Sequence, residues 1–103
     1  MFKGTTPDIT MTFPDGSVDF TSAEEIIVTI KDRRGNLLLE VTPAATERVL
    51  TIYLTQEQTL ALPVGAINIQ ANWTYQEADT LKRACSQIYT IDVIANLHNE
   101  VMS

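Results

Sequence analysis

One cysteine, Cys85, and one histidine, His98, are all that this 103-residue chain holds of either type. A lone cysteine excludes an intrachain disulfide framework. One thiol and one imidazole also fall short of the four nitrogen and sulfur ligands of a structural zinc site. Glycine is scarce, with four scattered residues, and neither a glycine-rich phosphate loop nor a nucleophile elbow can be read among them. No apolar run approaches the roughly 20 positions of a membrane span. The opening Met1-Phe2-Lys3-Gly4-Thr5-Thr6-Pro7 lacks the apolar stretch of a secretory signal, so the expectation is a soluble chain made in the cytoplasm. Positive charge is short as well: 7 basic residues stand against 13 acidic ones, a net charge of −6. Phosphate backbones and anionic membranes both demand concentrated Lys and Arg. Neither a nucleic acid nor a membrane is therefore an expected partner.

Apolar side chains make up 45% of the chain, enough for a packed core and too many for a disordered segment. The length fits one domain spanning 1–103, with little stability to spare and oligomerisation as a common remedy. Alternation with a period of two dominates, as strands require. Asp8 to Phe13 sets Ile9, Met11 and Phe13 against Thr10 and Thr12, and Pro14-Asp15-Gly16-Ser17 breaks the run. Glu25 to Lys31 and Leu37 to Val41 form a predicted hairpin about the Arg33-Arg34-Gly35-Asn36 turn. Thr42 to Glu47 reads as a loop, and Arg48 to Leu54 as a strand with Leu50, Ile52 and Leu54 inward.

The longest alternating run is Ala66 to Tyr75, where Ile67, Ile69, Ala71, Trp73 and Tyr75 oppose Asn68, Gln70, Asn72 and Thr74. One buried face and one wet face are expected of it. Lys82 to Ile94 is read as a single last strand with poorly sorted faces, Cys85, Tyr89, Ile91 and Val93 on one and Ala84, Ile88 and Ile94 on the other. Thr21…Glu24 and Thr55…Gln58 both have capping-box spacing, predicting two short helical turns. Six to seven strands with a turn every 8–12 residues give an all-β, antiparallel Ig-like sandwich, with a small barrel as the runner-up.

Chemistry is thin along this framework. His98 lies in a polar terminal segment, away from any partner nucleophile. Asp15-Gly16-Ser17-Val18-Asp19 has a faint calcium-like spacing without the ligand count. Glu24-Glu25 and Glu77 with Asp79 fall in predicted turns, where two carboxylates of unlike environment are not expected. The basic clusters Lys31, Arg33, Arg34 and Lys82-Arg83 sit at hairpin ends without interleaved aromatics. Cys85, mid-strand, is expected to be a buried, inert thiol. No catalytic, cofactor-binding or metal-ligating residue is assigned, and a non-enzymatic role is expected. Trp73 is read as core. Tyr75, at the end of the aromatic face, is an interface candidate. So are Leu97, Val101 and Met102, the apolar residues of a possible docking tail at 95–103.

The opening Met1 to Pro7, the stretch Leu54-Thr55-Gln56-Glu57-Gln58-Thr59-Leu60, the run Ile69-Gln70-Ala71-Asn72-Trp73-Thr74-Tyr75 and the ending Asn96-Leu97-His98-Asn99-Glu100-Val101 together resemble small structural proteins of tailed phages and prophages of Firmicutes. The Ile26-to-Leu39 hairpin is also similar to Ig-like amino-terminal domains of phage baseplate proteins. Gln76 to Leu81 lacks the glycine of such relatives, so a longer loop is expected there. The resemblance implies a virion structural or assembly protein of capsid decoration, neck, tail or baseplate, found in the virion and partnered by other virion proteins or by copies of itself. It supplies no catalytic residues. The alternative is a small acidic phage-encoded inhibitor of a host protein, its charge imitating nucleic acid.

Overall fold

The computed structural model describes residues 1–14 and 18–102. The turn predicted at Asp15-Gly16-Ser17, and that part of the calcium-like stretch, lie outside the described residues.

Alternation in the first segment builds β1 (Asp8–Thr12), which pairs antiparallel with β5 (Val49–Tyr53). Ile9 faces Ile52 and Met11 faces Leu50 across this ladder. The predicted loop before β5 contains a two-residue strand, β4 (Ala44–Ala45), on the far side of β5. The larger sheet is built on β6 (Gly65–Glu77), flanked on one side by β2 (Ala23–Asp32) and then β3 (Leu37–Val41). Its other side carries both β7 (Thr80–Cys85) and β8 (Tyr89–Val93).

Among the described residues, the orders β1-β5-β4 and β3-β2-β6-β7 follow the pairing of the strands of an Ig-type sandwich from its second strand on. The sheets are separate and do not close into the alternative barrel. Met1 to Lys3 is joined to the end of β8 by a parallel bridge between Phe2 and Ile94.

Lys82 to Ile94 is not one strand. Cys85 faces Asn72 and Tyr89 faces Ile69, so three steps along β6 are matched by four along its neighbour. The extra residue falls at Ser86-Gln87-Ile88 and reverses the side-chain parity. Ala84 and the buried Ser86 point inward before it, and Tyr89, Ile91 and Val93 point inward after it. This slip accounts for the unsorted faces, and it corrects the reading of Cys85, which is exposed. Ser86 repairs the broken ladder itself. Its N–H donates to the Ala71 carbonyl at 2.9 Å, and its Oγ accepts the Ala71 N–H at 3.0 Å.

The second capping box forms as read: Thr55 Oγ1 accepts from the Gln58 N–H at 3.1 Å and Gln58 Oε1 from the Thr55 N–H at 2.9 Å. It starts α1 (Gln56–Ala61). The first box does not form. Asp19 caps a 3-10 turn at Phe20–Ser22 by accepting the N–H (3.0 Å) and hydroxyl (2.6 Å) of Thr21, and the strand begins at Ala23. Those two bonds to Thr21, hydroxyl first, hold the Asp19 carboxyl below the usual aspartate range. Phe20 is thereby turned into the core. Glu24 and Glu25 lie on β2, not in a turn.

The core joins the two inward faces: Leu50, Ile52 and Met11 from the small sheet meet Val28, Ile30, Ile67, Ile69 and Trp73 from the large one. Each such side chain contributes about 1.5–3 kcal/mol when fully buried. Phe13, Phe20 and Trp73 meet edge to face with centroids 5.0–5.6 Å apart.

The predicted longer loop after β6 is instead a two-residue turn, with Glu77 paired to Thr80. Ala78 takes φ 54° there, the left-handed region at the first turn position, where such hairpins prefer glycine. Replacing Ala78 by glycine is expected to stabilise the protein by about 0.5–1 kcal/mol, because relief of the left-handed strain outweighs the added chain entropy. A denaturant midpoint that moves up at unchanged slope verifies it; a lower midpoint refutes the strain.

Candidate functional site

The four interface candidates fall at opposite ends of β6. Tyr75 is half-buried near the C-terminal end of that strand, in a cleft with Val18, Trp73 and Ala84. The opposite end, Gly65, pairs with Val93, one residue before Ile94 and the terminal segment. Ten residues of strand separate Gly65 from Tyr75, roughly 33 Å. Tyr75 therefore shares no surface with Leu97, Val101 and Met102.

The terminal segment is tied down. Asn96 Nδ2 donates to the Lys3 carbonyl at 3.0 Å. Farther on, Gln56 at the start of α1 makes a two-bond clamp: its Nε2 donates to the Met102 carbonyl at 2.9 Å, and its Oε1 accepts the Met102 N–H at 2.7 Å. Gly4, at φ +79°, lies so close to Leu60 that a Cβ there would stand 3.1 Å from its Cδ2. A glycine at this point brings the first residues against α1. Between the Asn96 and Gln56 anchors, Leu97 is fully exposed, and Val101 (52%) and Met102 (67%) keep more than half of their surface in water. His98 is exposed on the same segment.

The outer face of the large sheet is the second surface. Asn68, Gln70, Asn72 and Thr74 project from it as the alternation predicts, each only half-buried. Arg83 Nε and Nη2 both donate to Asn72 Oδ1, at 3.2 and 3.0 Å, and Thr29 Oγ1 donates to Glu40 Oε2 at 3.0 Å. A shallow groove of about 760 Å³ crosses this face, lined by Lys31, Arg33, Arg34 and Arg83 along with Asp32 and Glu40. The two basic clusters were thus separate only in sequence. Arg83 sits opposite Thr74 on the outward parity, whereas Lys82 faces the other way and pairs with Glu77 at 3.6 Å.

The hairpin that carries three of these cations is organised by Asp32. Its Oδ1 accepts the N–H groups of Asn36 (2.9 Å) and Arg34 (2.8 Å), and its Oδ2 accepts from Asn36 Nδ2 (3.0 Å). These bonds, the Asn36 N–H first, hold its carboxyl below the usual aspartate range. Among the described residues, no three His, Cys, Asp or Glu side chains gather as metal ligands, and no helix is long and apolar enough to cross a membrane.

Neither the Gln56 clamp nor the convergence of Arg83 with the hairpin cations is among the features the sequence singles out. The second had a signal, since Arg83 alternates with Lys82 on a predicted strand. The first had none, because a clamp across 46 residues leaves no local pattern. No protein-family model, no curated protein and no solved structure matches this chain.

Proposed function

We propose that this chain is a non-enzymatic structural or assembly protein of a tailed-phage virion, docking onto other virion proteins or onto copies of itself through its terminal segment. The observation that carries the reading is an ordered backbone with apolar side chains held in water. Leu97, Val101 and Met102 are exposed on a segment that Asn96 and Gln56 already fix. Docking such a segment costs little further ordering entropy, and burying its apolar side chains is favourable. The sequence resemblance to virion structural proteins points the same way.

The alternative, an acidic mimic of nucleic acid, draws less support. Four of the seven basic residues line one groove, so the large sheet presents a mixed and partly positive face instead of a continuous acidic one.

The test is the double substitution Leu97→Glu with Met102→Glu, which leaves the backbone clamp in place. Stability is expected to stay within about 0.5 kcal/mol, as for surface changes generally. Light scattering is expected to show the parent as a discrete oligomer and the variant as a monomer. An unchanged oligomer in the variant rules out this segment as the contact. A monomeric parent that captures a host protein instead favours the inhibitor reading.

A further inference from the structure

A second surface, independent of the terminal segment, lies between two strand edges that face each other across the sandwich. Among the described residues β1 pairs only with β5, and β8 pairs along one side only, with β6. Each strand therefore has an open edge, and hydrogen bonding fixes which backbone groups face it. Phe13 N–H donates to the Arg48 carbonyl at 2.8 Å and Leu54 N–H to the Pro7 carbonyl at 3.4 Å, so the odd-numbered residues of β1 face β5. In an antiparallel ladder the even ones then face outward, Thr10 and Thr12 among them. On β8, the Ile94 N–H donates to the Met1 carbonyl at 2.7 Å and the Ile94 carbonyl accepts from the Lys3 N–H at 3.0 Å. Residue 94 thus faces away from β6. By the same alternation so do the N–H groups of Asp92 and Thr90 and the carbonyl of Thr90.

Between these edges lies a cleft of about 310 Å³ whose lining includes Ile9, Met11, Ile69, Tyr89 and Ile91. Its apolar side chains recur at every second residue on both β1 and β8, the spacing that receives alternate side chains of an added strand. The first rungs of that strand are already present. Met1 to Lys3 bonds to Ile94 in the parallel direction, and the Asp92 carbonyl accepts from the Met1 nitrogen at 2.9 Å. Carried upstream along β8, the same ladder reaches the open groups of Asp92 and Thr90. Asp8 and Asp92 on the two bordering strands are both exposed, and the chain carries −6 overall, which favours basic residues in an incoming segment.

We propose that the cleft between β1 and β8 is a strand-acceptor site, which takes an extended segment of a partner protein in parallel with β8. The segment places apolar side chains into the cleft at every second position and basic or hydroxyl residues outward. Backbone bonds to β8 supply affinity, and the floor supplies selectivity for the alternating pattern. Two copies of β8 related by a two-fold axis would meet antiparallel, so the parallel rungs fit a donated segment and not an edge-to-edge dimer.

The probe is the peptide Lys-Val-Thr-Val-Lys-Val-Thr, titrated into the full chain and followed by amide exchange. The amides of Thr90 and Asp92 are expected to gain protection on the order of tenfold. The same peptide N-methylated at alternate residues, and a composition-matched scrambled peptide, are expected not to bind. Thr90→Pro removes an outward N–H and is expected to weaken binding by about tenfold. The N-methylated peptide keeps the test valid should that variant fold poorly. Absence of binding, equal binding of the N-methylated or scrambled peptide, or protection confined to the β3 edge overturns the proposal. So does a dimer that Thr90→Pro dissociates. The Leu97→Glu, Met102→Glu protein is expected to bind the peptide as the parent does, so failure of the terminal docking reading leaves this one standing.

Discussion

Replacing Trp73 by alanine is expected to remove about 3–5 kcal/mol of stability, the usual cost of truncating a buried large aromatic. A chain of this size holds roughly 5–15 kcal/mol in total, so the variant sits at the edge of folding. Trp73 comes from β6, Phe20 from the 3-10 turn and Phe13 from the residue just after β1, and the rings contact one another at interplanar angles of 76–82°. The triangle joins both sheets and the connection between them. Its loss takes away edge-to-face contacts as well as buried area. Urea unfolding followed by tyrosine fluorescence or circular dichroism measures the effect. Trp73→Phe keeps a ring at the site and is expected to retain more than half of the lost stability. A Trp73→Ala protein within about 1 kcal/mol of the parent, against the usual core cost, would mean that the triangle is peripheral.

The second large effect is expected at a small side chain. Ser86→Ala removes the hydroxyl that accepts the Ala71 N–H at 3.0 Å, a bond made in the buried interior. The N–H of a fully buried central-strand residue is left without its acceptor, at a cost of about 1–3 kcal/mol. The same change frees the Gln87 carbonyl, which now accepts from Ser86 Oγ at 2.7 Å. Amide exchange locates the damage: Ala71 is expected to exchange faster in the variant while the β2–β6 ladder at Thr29, paired with Gln70, stays protected. Equal exchange at Ala71 in the two proteins would mean that the hydroxyl is dispensable to the bulge. Ser86→Thr keeps the acceptor and serves as the matched control.

Most of the architecture was legible because its signals are local. Ile67 to Tyr75 alternates without a fault, and the structure buries Ile67, Ile69, Ala71 and Trp73 behind an amide and hydroxyl face. Thr55 and Gln58 stand at the spacing of a capping box and form one. The return strand runs from Leu37 to Val41 as its alternation predicts, although its register with β2 slips between Ile30 and Lys31. What escaped was set by distant partners. Parity carried unbroken across Ser86 to Ile88 puts Cys85 inside, and the extra residue there is visible only against β6. Thr21 lost its capping role to Asp19, two residues upstream, as Phe20 turned into the core. Leu97, Val101 and Met102 could be picked out by composition, but their anchoring by Gln56 depends on a fold that brings both ends of the chain to α1.

The position of β6 also bears on how the protein folds. The β2–β3 and β6–β7 hairpins close over short turns and can form early, but neither sandwich half is complete with them. Ile26 must find Trp73, and Ile9 must find Ile52, across long stretches of intervening chain. The β8 pairing in turn needs β6 already in place. Loop-closure entropy is spent before these distant contacts return anything, which puts such topologies in the millisecond-to-second class of folding rates. Until β6 docks, β2 presents an unpaired edge rich in isoleucine and valine, the kind of surface that aggregates in a crowded compartment. The strand that organises the finished sheet is thus also the kinetic bottleneck on the way to it.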